Sequence, residues 1–227
     1  CLLGITIACA PPAGTLLIEN VTVIDPASAS VWPQQCVLIA GERIVDVSTC
    51  DRRPRSAVTV DGEGRWLLPG LRDMHVHALW DRSVYPVFFD QFLAWGVTGI
   101  RDMASTPDVL AEAREYLARH DVPAPHLLAS GPVVDGPEPL MPAYAIAAGS
   151  AEEARAAVAK LLAIDADFAK PYTLLPREAA LALLDEAAKT GLPVAGHLPA
   201  SLTVDDAIAG GMASIEHMAV GVGGLCD

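Results

Sequence analysis

Two histidines one residue apart, His75-Val76-His77, form the feature of this sequence best suited to chemistry. Along an extended strand positions i and i+2 face the same way, so both imidazoles would share a face and could share one metal ion. Taken alone, the pair reads more simply as two core or surface histidines. Three other residues tilt the reading. Lys170 ends the apolar segment Ala166-Asp167-Phe168-Ala169-Lys170, where an ammonium is expensive to bury unless paired or neutralised. Pro171 biases Lys170 toward extended backbone, so its side chain projects from a strand end, whereas Lys160 and Lys189 fall in helical stretches. His197 closes Pro193-Val194-Ala195-Gly196-His197, and His217 closes Ser214-Ile215-Glu216-His217. With Lys170, four of the six histidines converge on the ends of predicted strands, which points to a metal centre. His120 near a helix end and His126 at the start of a strand have ordinary structural readings.

The elements that must position these groups alternate from Trp66 onward. Strand candidates are residues 71–77, 97–102, 126–131, 167–172, 193–197 and 213–217. Between them, Ser105-Thr106-Pro107-Asp108 starts a helix over 107–120, and Ser150 with Glu153 makes a capping box for 151–164. Pro176-Arg177-Glu178 opens 177–189, which Gly191 closes, and Thr203 with Asp206 starts a short helix that Gly210-Gly211 ends. Strands alternating with helices make a parallel sheet. The first strand is followed by no glycine-rich phosphate loop, which argues against a dinucleotide fold. The expected class is α/β, a (β/α)8 TIM-type barrel with about six of eight strands, because residues 67–227 fall short of the roughly 250 residues a complete barrel takes. The sequence stops after the sixth strand and reads as a C-terminally truncated fragment. Residues 14–66 carry no helical periodicity: Leu16–Ile18, Val21–Ile24, Val37–Ile39, Ile44–Val47 and Val58–Val60 predict a small all-β portion with a hairpin at Ala40-Gly41-Glu42-Arg43.

Several of these segments resemble one family. Leu68-Pro69-Gly70-Leu71-Arg72-Asp73-Met74-His75-Val76-His77 is similar to the opening barrel motif of the amidohydrolase superfamily, and Gly96-Val97-Thr98-Gly99-Ile100-Arg101-Asp102 to its second strand. The segments ending in Lys170, His197 and His217 continue the match in order, from about residue 15 to the end. The pattern is closest to the imidazolonepropionase-like and Xaa-Pro dipeptidase-like branch, whose N-terminal portion is a β-sandwich. The resemblance implies that His75 and His77 bind one metal and His197 and His217 a second. It implies two divalent ions, zinc first among the choices, bridged by Lys170 after its carboxylation by CO2. Tyr172, on the same face as Lys170, would contact the substrate or a tetrahedral oxyanion, or else pack inward. The implied activity is metal-dependent hydrolysis of amide or peptide-type bonds in a small-molecule or short-peptide substrate. The alternatives are a non-catalytic metal-binding scaffold and an inactive fragment. The family's Asp from the eighth strand has no assigned counterpart; Asp227 is not one.

Composition bounds the rest. The chain has 227 residues, 52% hydrophobic, and a net charge of −13, which excludes disorder and a basic surface for nucleic acid. The run Leu2-Leu3-Gly4-Ile5-Thr6-Ile7-Ala8-Cys9-Ala10 is too short to span a bilayer as a helix. Residues 1–13 resemble a leader remnant, with either a cleavage site after Ala10 or a lipoprotein box that would place a lipid on Cys9. The expectation is export, to a bacterial periplasm or to a membrane surface. The five cysteines form no CxxC pair and suggest no disulfide framework, so Cys36, Cys50 and Cys226 read as structural thiols.

Overall fold

The computed structural model describes residues 14–119 and 122–217. The chain divides into two compact units, one through Pro69 and one from Gly70.

The first unit is a five-stranded sheet. Strand β1 (Thr15–Asp25) runs antiparallel to β2 (Ser30–Ala40), which pairs with β3 (Arg43–Thr49). On its other side β1 runs parallel to β4 (Val58–Asp61) and then to β5 (Trp66–Leu67). The two segments expected at Leu16–Ile18 and Val21–Ile24 form one strand, because a bulge around Asn20, at φ 56°, absorbs the break. The hairpin turn is Gly41-Glu42, with Gly41 at φ 58°. At the turn after β4, a side chain on Gly62 would collide with Val21. The reading of Cys36 and Cys50 as separate thiols is corrected: they form a disulfide, with Cα atoms 5.1 Å apart. Cys36 lies opposite Ser48 across the β2–β3 pair, and a 3-10 turn over Cys50–Arg52 brings the second sulfur back. Strand pairing brings these sulfurs together, and a spacing of 14 residues gives no sign of it. Cys1, Cys9 and Cys226 lie outside the described residues, as do His120 and Asp227.

The second unit alternates strands and helices. Parallel strands β6 (Leu71–Val76), β7 (Val97–Asp102) and β8 (His126–Ala129) form one sheet. Strand β9 (Val133–Asp135) pairs in parallel with β10 (Ala145–Ala147), and β11 (Ala195–Gly196) with β12 (Ser214–Ile215). Single parallel bridges, Val134 to Pro171 and Ala169 to Val194, tie the segment around Lys170 between β9 and β11. The strand expected over 167–172 is reduced to these bridges because Pro171 and Pro193 supply no N–H to a ladder. The backbone bonding nevertheless continues in chain order: Asp167 N–H to Ala129 O (2.9 Å), Ala195 N–H to Ala169 O (3.0 Å), His197 N–H to Pro171 O (3.1 Å) and Glu216 N–H to Gly196 O (2.8 Å).

Helices α1 (Tyr85–Ala94), α2 (Pro107–Ala118), α3 (Ala151–Ala163), α4 (Arg177–Thr190) and α5 (Val204–Ala209) intervene. Helix α1 gives little sign of itself in sequence, since it is apolar nearly all round and its N-cap Val84 offers no capping side chain. In contrast, α3 buries Ala154, Ala157, Val158 and Leu161, and α4 buries Ala179, Ala180, Leu183, Leu184 and Ala187, each a helical stripe. The predicted capping box at Ser150 forms by half: Ser150 Oγ accepts from Glu153 N–H, but the Glu153 carboxylate takes Gly149 N–H (2.7 Å). Thr203 and Asp206 make both halves of theirs, and Gly191 closes α4 at φ 73°. No helix among the described residues is long and apolar enough to cross a membrane.

Two substitutions test these packing arguments. Cys50→Ala opens a loop whose closure is worth about 3 kcal/mol on chain-entropy grounds, and urea unfolding should show a loss of about that size in the first unit. In Gly196→Ala the new Cβ would sit 2.7 Å from Pro171 O and 2.9 Å from Lys170 Cγ. The second unit should lose roughly 1–3 kcal/mol by overpacking; an unchanged midpoint would show that the strands can spread.

Candidate metal centre

Parallel pairing gives the strands of the second unit one direction, so the residues that end them gather at one end. His75 is near the end of β6 and His77 just beyond it; His197 follows β11, and His217 lies two residues past β12. Their rings form a connected set. His75 is 5.3 Å from His77 and 4.5 Å from His217 between centroids, and His217 is 4.9 Å from His197. Tyr172 stacks on His197 at 4.1 Å, and Lys170 Nζ lies 5.6 Å from the Tyr172 ring centre. All six sequence-predicted site residues therefore share one neighbourhood.

Local backbone explains how they fit. Gly196 carries no Cβ, which leaves room for the Lys170 stem against β11. His217 adopts φ 57°, a left-handed conformation that breaks the alternation of the strand. Glu216 and His217 would otherwise point to opposite faces; with that turn, both reach His75.

Burial dominates the electrostatics. Lys170 is only 1% exposed, and desolvation lowers its pKa to about 8, against the opposing pull of the Glu216 and Asp102 charges. Desolvation, reinforced by the Lys170 charge, lowers His77 and His197 to about 4, so both are neutral imidazoles with a lone pair to offer near pH 7. His75 is also lowered by burial, although its bond to Glu216 pulls the other way. Asp102 is fully buried, which raises it to about 7; it accepts from Leu79 N–H (3.0 Å) and Ala104 N–H (3.3 Å) and so pins the segment that follows His77.

The ring nitrogens differ in their partners. His75 Nδ1 is 2.7 Å from Glu216 Oε2, and His197 Nδ1 is 3.0 Å from Thr173 Oγ1. His75 Nε2 and His77 Nδ1, by contrast, are buried with no hydrogen-bond partner among the described residues. Two orphaned imidazole nitrogens on neighbouring rings are the kind of donors that a divalent cation satisfies. Among the described residues no three His, Cys, Asp or Glu side chains are already grouped so as to hold an ion. The donor types fit a metal.

Sequence reasoning missed Glu216, Arg101 and Trp80. Arg101 is buried and donates to Met74 O (2.7 Å), Ser214 Oγ (3.2 Å) and Glu216 Oε1 (2.5 Å). Burial alone would raise the Glu216 pKa, but the bonds from His75 and Ser214 and the Arg101 charge outweigh it, and the net shift is downward. Trp80 lies 4.2 Å from His77 between ring centres, and its carbonyl accepts from the Tyr144 hydroxyl (3.0 Å). Adjacency to His217 and membership of the Arg101-Asp102 segment were the available signals for the first two; Trp80 had none.

No protein-family model matches the chain. A dihydroorotase of Anaeromyxobacter sp. (strain K) is 44% identical over 62 residues, 27% of this chain and 14% of that protein. Among solved structures, a putative prolidase from Bifidobacterium longum superposes with a TM-score of 0.77 at 23% identity, over 91% of this chain and 55% of that one. The bottromycin amidohydrolase superposes with a TM-score of 0.74 at 27% identity, over 91% of this chain and 44% of that one. The chain thus spans about half the length of these solved proteins. The likeness read from the histidine and lysine segments therefore extends to three dimensions, and the chain carries the fold of the prolidases and amidohydrolases.

Proposed function

We propose that this chain belongs to a metal-dependent hydrolase of amide or peptide-type bonds. The observation that carries the reading is the pair of buried, unpartnered nitrogens on His75 and His77, beside a buried lysine and two further histidines. The hydrolase character of the structural neighbours supports it. In finer detail, the parallel strands are read as six of the eight in a barrel, and the N-terminal sheet as part of a sandwich.

His75 and His77 would hold one divalent ion, His197 and His217 a second, with zinc the preferred metal for neutral imidazole. Such ions supply positive charge that polarises a scissile carbonyl and makes water a competent nucleophile near neutral pH. Lys170 would join them as a carbamate: its neutral amine forms a C–N bond to CO2 and releases one proton, so that a costly buried cation becomes a two-oxygen anion. The lowered pKa of Lys170 supports this step, because only the unprotonated amine reacts. Tyr172 keeps its proton, since burial and the Asp135 charge raise its pKa, and its hydroxyl can donate to an oxygen of the substrate. Small amides, N-acyl amino acids and short peptides are the proposed substrates. The same donors support a second reading, metal binding without turnover. Export, with a lipid on Cys9, is also proposed; the Cys36–Cys50 disulfide supports it, since such bonds persist in oxidising compartments.

Protein purified with zinc should contain the metal and hydrolyse dipeptides or N-acyl amino acids, with chelation abolishing turnover. Full activity of metal-free protein would end the hydrolase reading as stated, and zinc bound without turnover would favour the scaffold. Lys170→Ala should lower zinc content and cut activity at least about tenfold, with partial rescue by added short carboxylic acids. Carbamate formation, followed with 13C-labelled CO2 at fixed dissolved CO2, should rise as pH climbs through about 8. Below that value Lys170 is an ammonium and cannot react; a midpoint near an ordinary lysine's would show that the amine is not desolvated.

A further inference from the structure

The hydrolase reading uses His75 as a ligand and leaves unexplained why a buried ion pair is built against its far side. Glu216 Oε2 meets His75 Nδ1 at 2.7 Å. Its other oxygen, Oε1, is occupied by Arg101 Nη2 at 2.5 Å and by Ser214 Oγ at 2.7 Å. Arg101 in turn donates through Nε to the carbonyl of Met74, the residue before His75. One guanidinium from β7 therefore fixes the backbone beside His75 and the carboxylate that His75 touches.

The chemistry of these groups settles the direction of the bond. A guanidinium stays charged at any accessible pH, and its contact through Nη2 with Glu216 Oε1 keeps that carboxylate ionised. An ionised carboxylate accepts hydrogen bonds and donates none, so the proton in the 2.7 Å contact must sit on the imidazole. A neutral imidazole carries one proton, and the nitrogen that lacks it is a lone-pair donor. That nitrogen, Nε2, is the one found buried without a partner.

We infer that Glu216, clamped by Arg101, is a positioning residue that holds the proton of His75 on Nδ1 and thereby presents Nε2 as the nitrogen for a divalent cation. The inference rests on the metal reading above for its purpose, but the placement of the proton stands on the hydrogen bonds themselves. The choice of Glu follows: Gln would keep its oxygen toward Arg101, which can only donate, and turn its NH2 toward His75 Nδ1, which must then give up its proton to accept.

The test uses metal-free protein with 15N-labelled histidine, with His75→Gln identifying the resonances. Long-range proton–nitrogen correlations should show His75 protonated at Nδ1. In Glu216→Ala the tautomer should shift toward Nε2–H, and affinity for Co2+, read from its visible absorption, should fall about 10–100-fold. Glu216→Gln, which keeps the volume, should give the same tautomer shift if the alanine variant does not fold. A proton on Nε2 in the unaltered protein overturns the inference, as does a folded Glu216 variant with unchanged tautomer and Co2+ affinity. If the unaltered protein binds no Co2+, the metal reading fails, and the tautomer comparison alone decides whether Glu216 places the proton.

Discussion

Parallel pairing in chain order is the constraint on which the second unit depends. Each strand returns in the same direction, so each ends at the same rim, and a residue one or two positions past a strand is brought beside its counterparts from other strands. The hydrogen bonds from β6 through β12 make this concrete, since the strand segments are bonded to their neighbours in sequence, even where only single bridges survive. Prolines at 171 and 193 weaken the ladder where Lys170 and His197 must emerge. The helical stripes of α3 and α4, with their buried alanines, hold that part of the sheet from behind.

Burial then sets the chemistry. Around the histidines the interior is apolar enough to strip charge from imidazoles and to ease it from Lys170, yet it retains a compensated carboxylate in Glu216. Desolvation costs an isolated charge several kcal/mol, which a paired and hydrogen-bonded one largely recovers. The site separates these two cases: the charged Arg101 and Glu216 are hydrogen-bonded to each other and to Met74 and Ser214, while burial favours the neutral forms of His75, His77 and His197. Asp102 shows a third case, a carboxyl whose burial favours its protonated form although backbone N–H groups point at it.

The structural likeness to prolidases and amidohydrolases covers nine-tenths of this chain and about half of theirs. Fold alone does not select a substrate, because the loops at strand ends carry specificity. What this chain contributes is a set of donors and the polar support beneath one of them. Trp80 and Tyr144, from loops after different strands, flank that set and are joined through the Trp80 carbonyl.

The sequence by itself determined the alternation of strands and helices, most helix starts and the six residues that gather at the centre. These are local signals: apolar periodicity, capping residues, prolines and short motifs each declare themselves within a few positions. Tertiary structure alone decided the Cys36–Cys50 bond, the single long β1, the burial of Lys170 and the partnership of His75 with Glu216, 141 residues away. Helix α1 escaped notice because its polar face is too small to set a period, and Glu216 because strand alternation would turn it away from its neighbour's site. The left-handed turn at His217 reverses that, and it arises from how the chain is held after β12, which no window of residues displays.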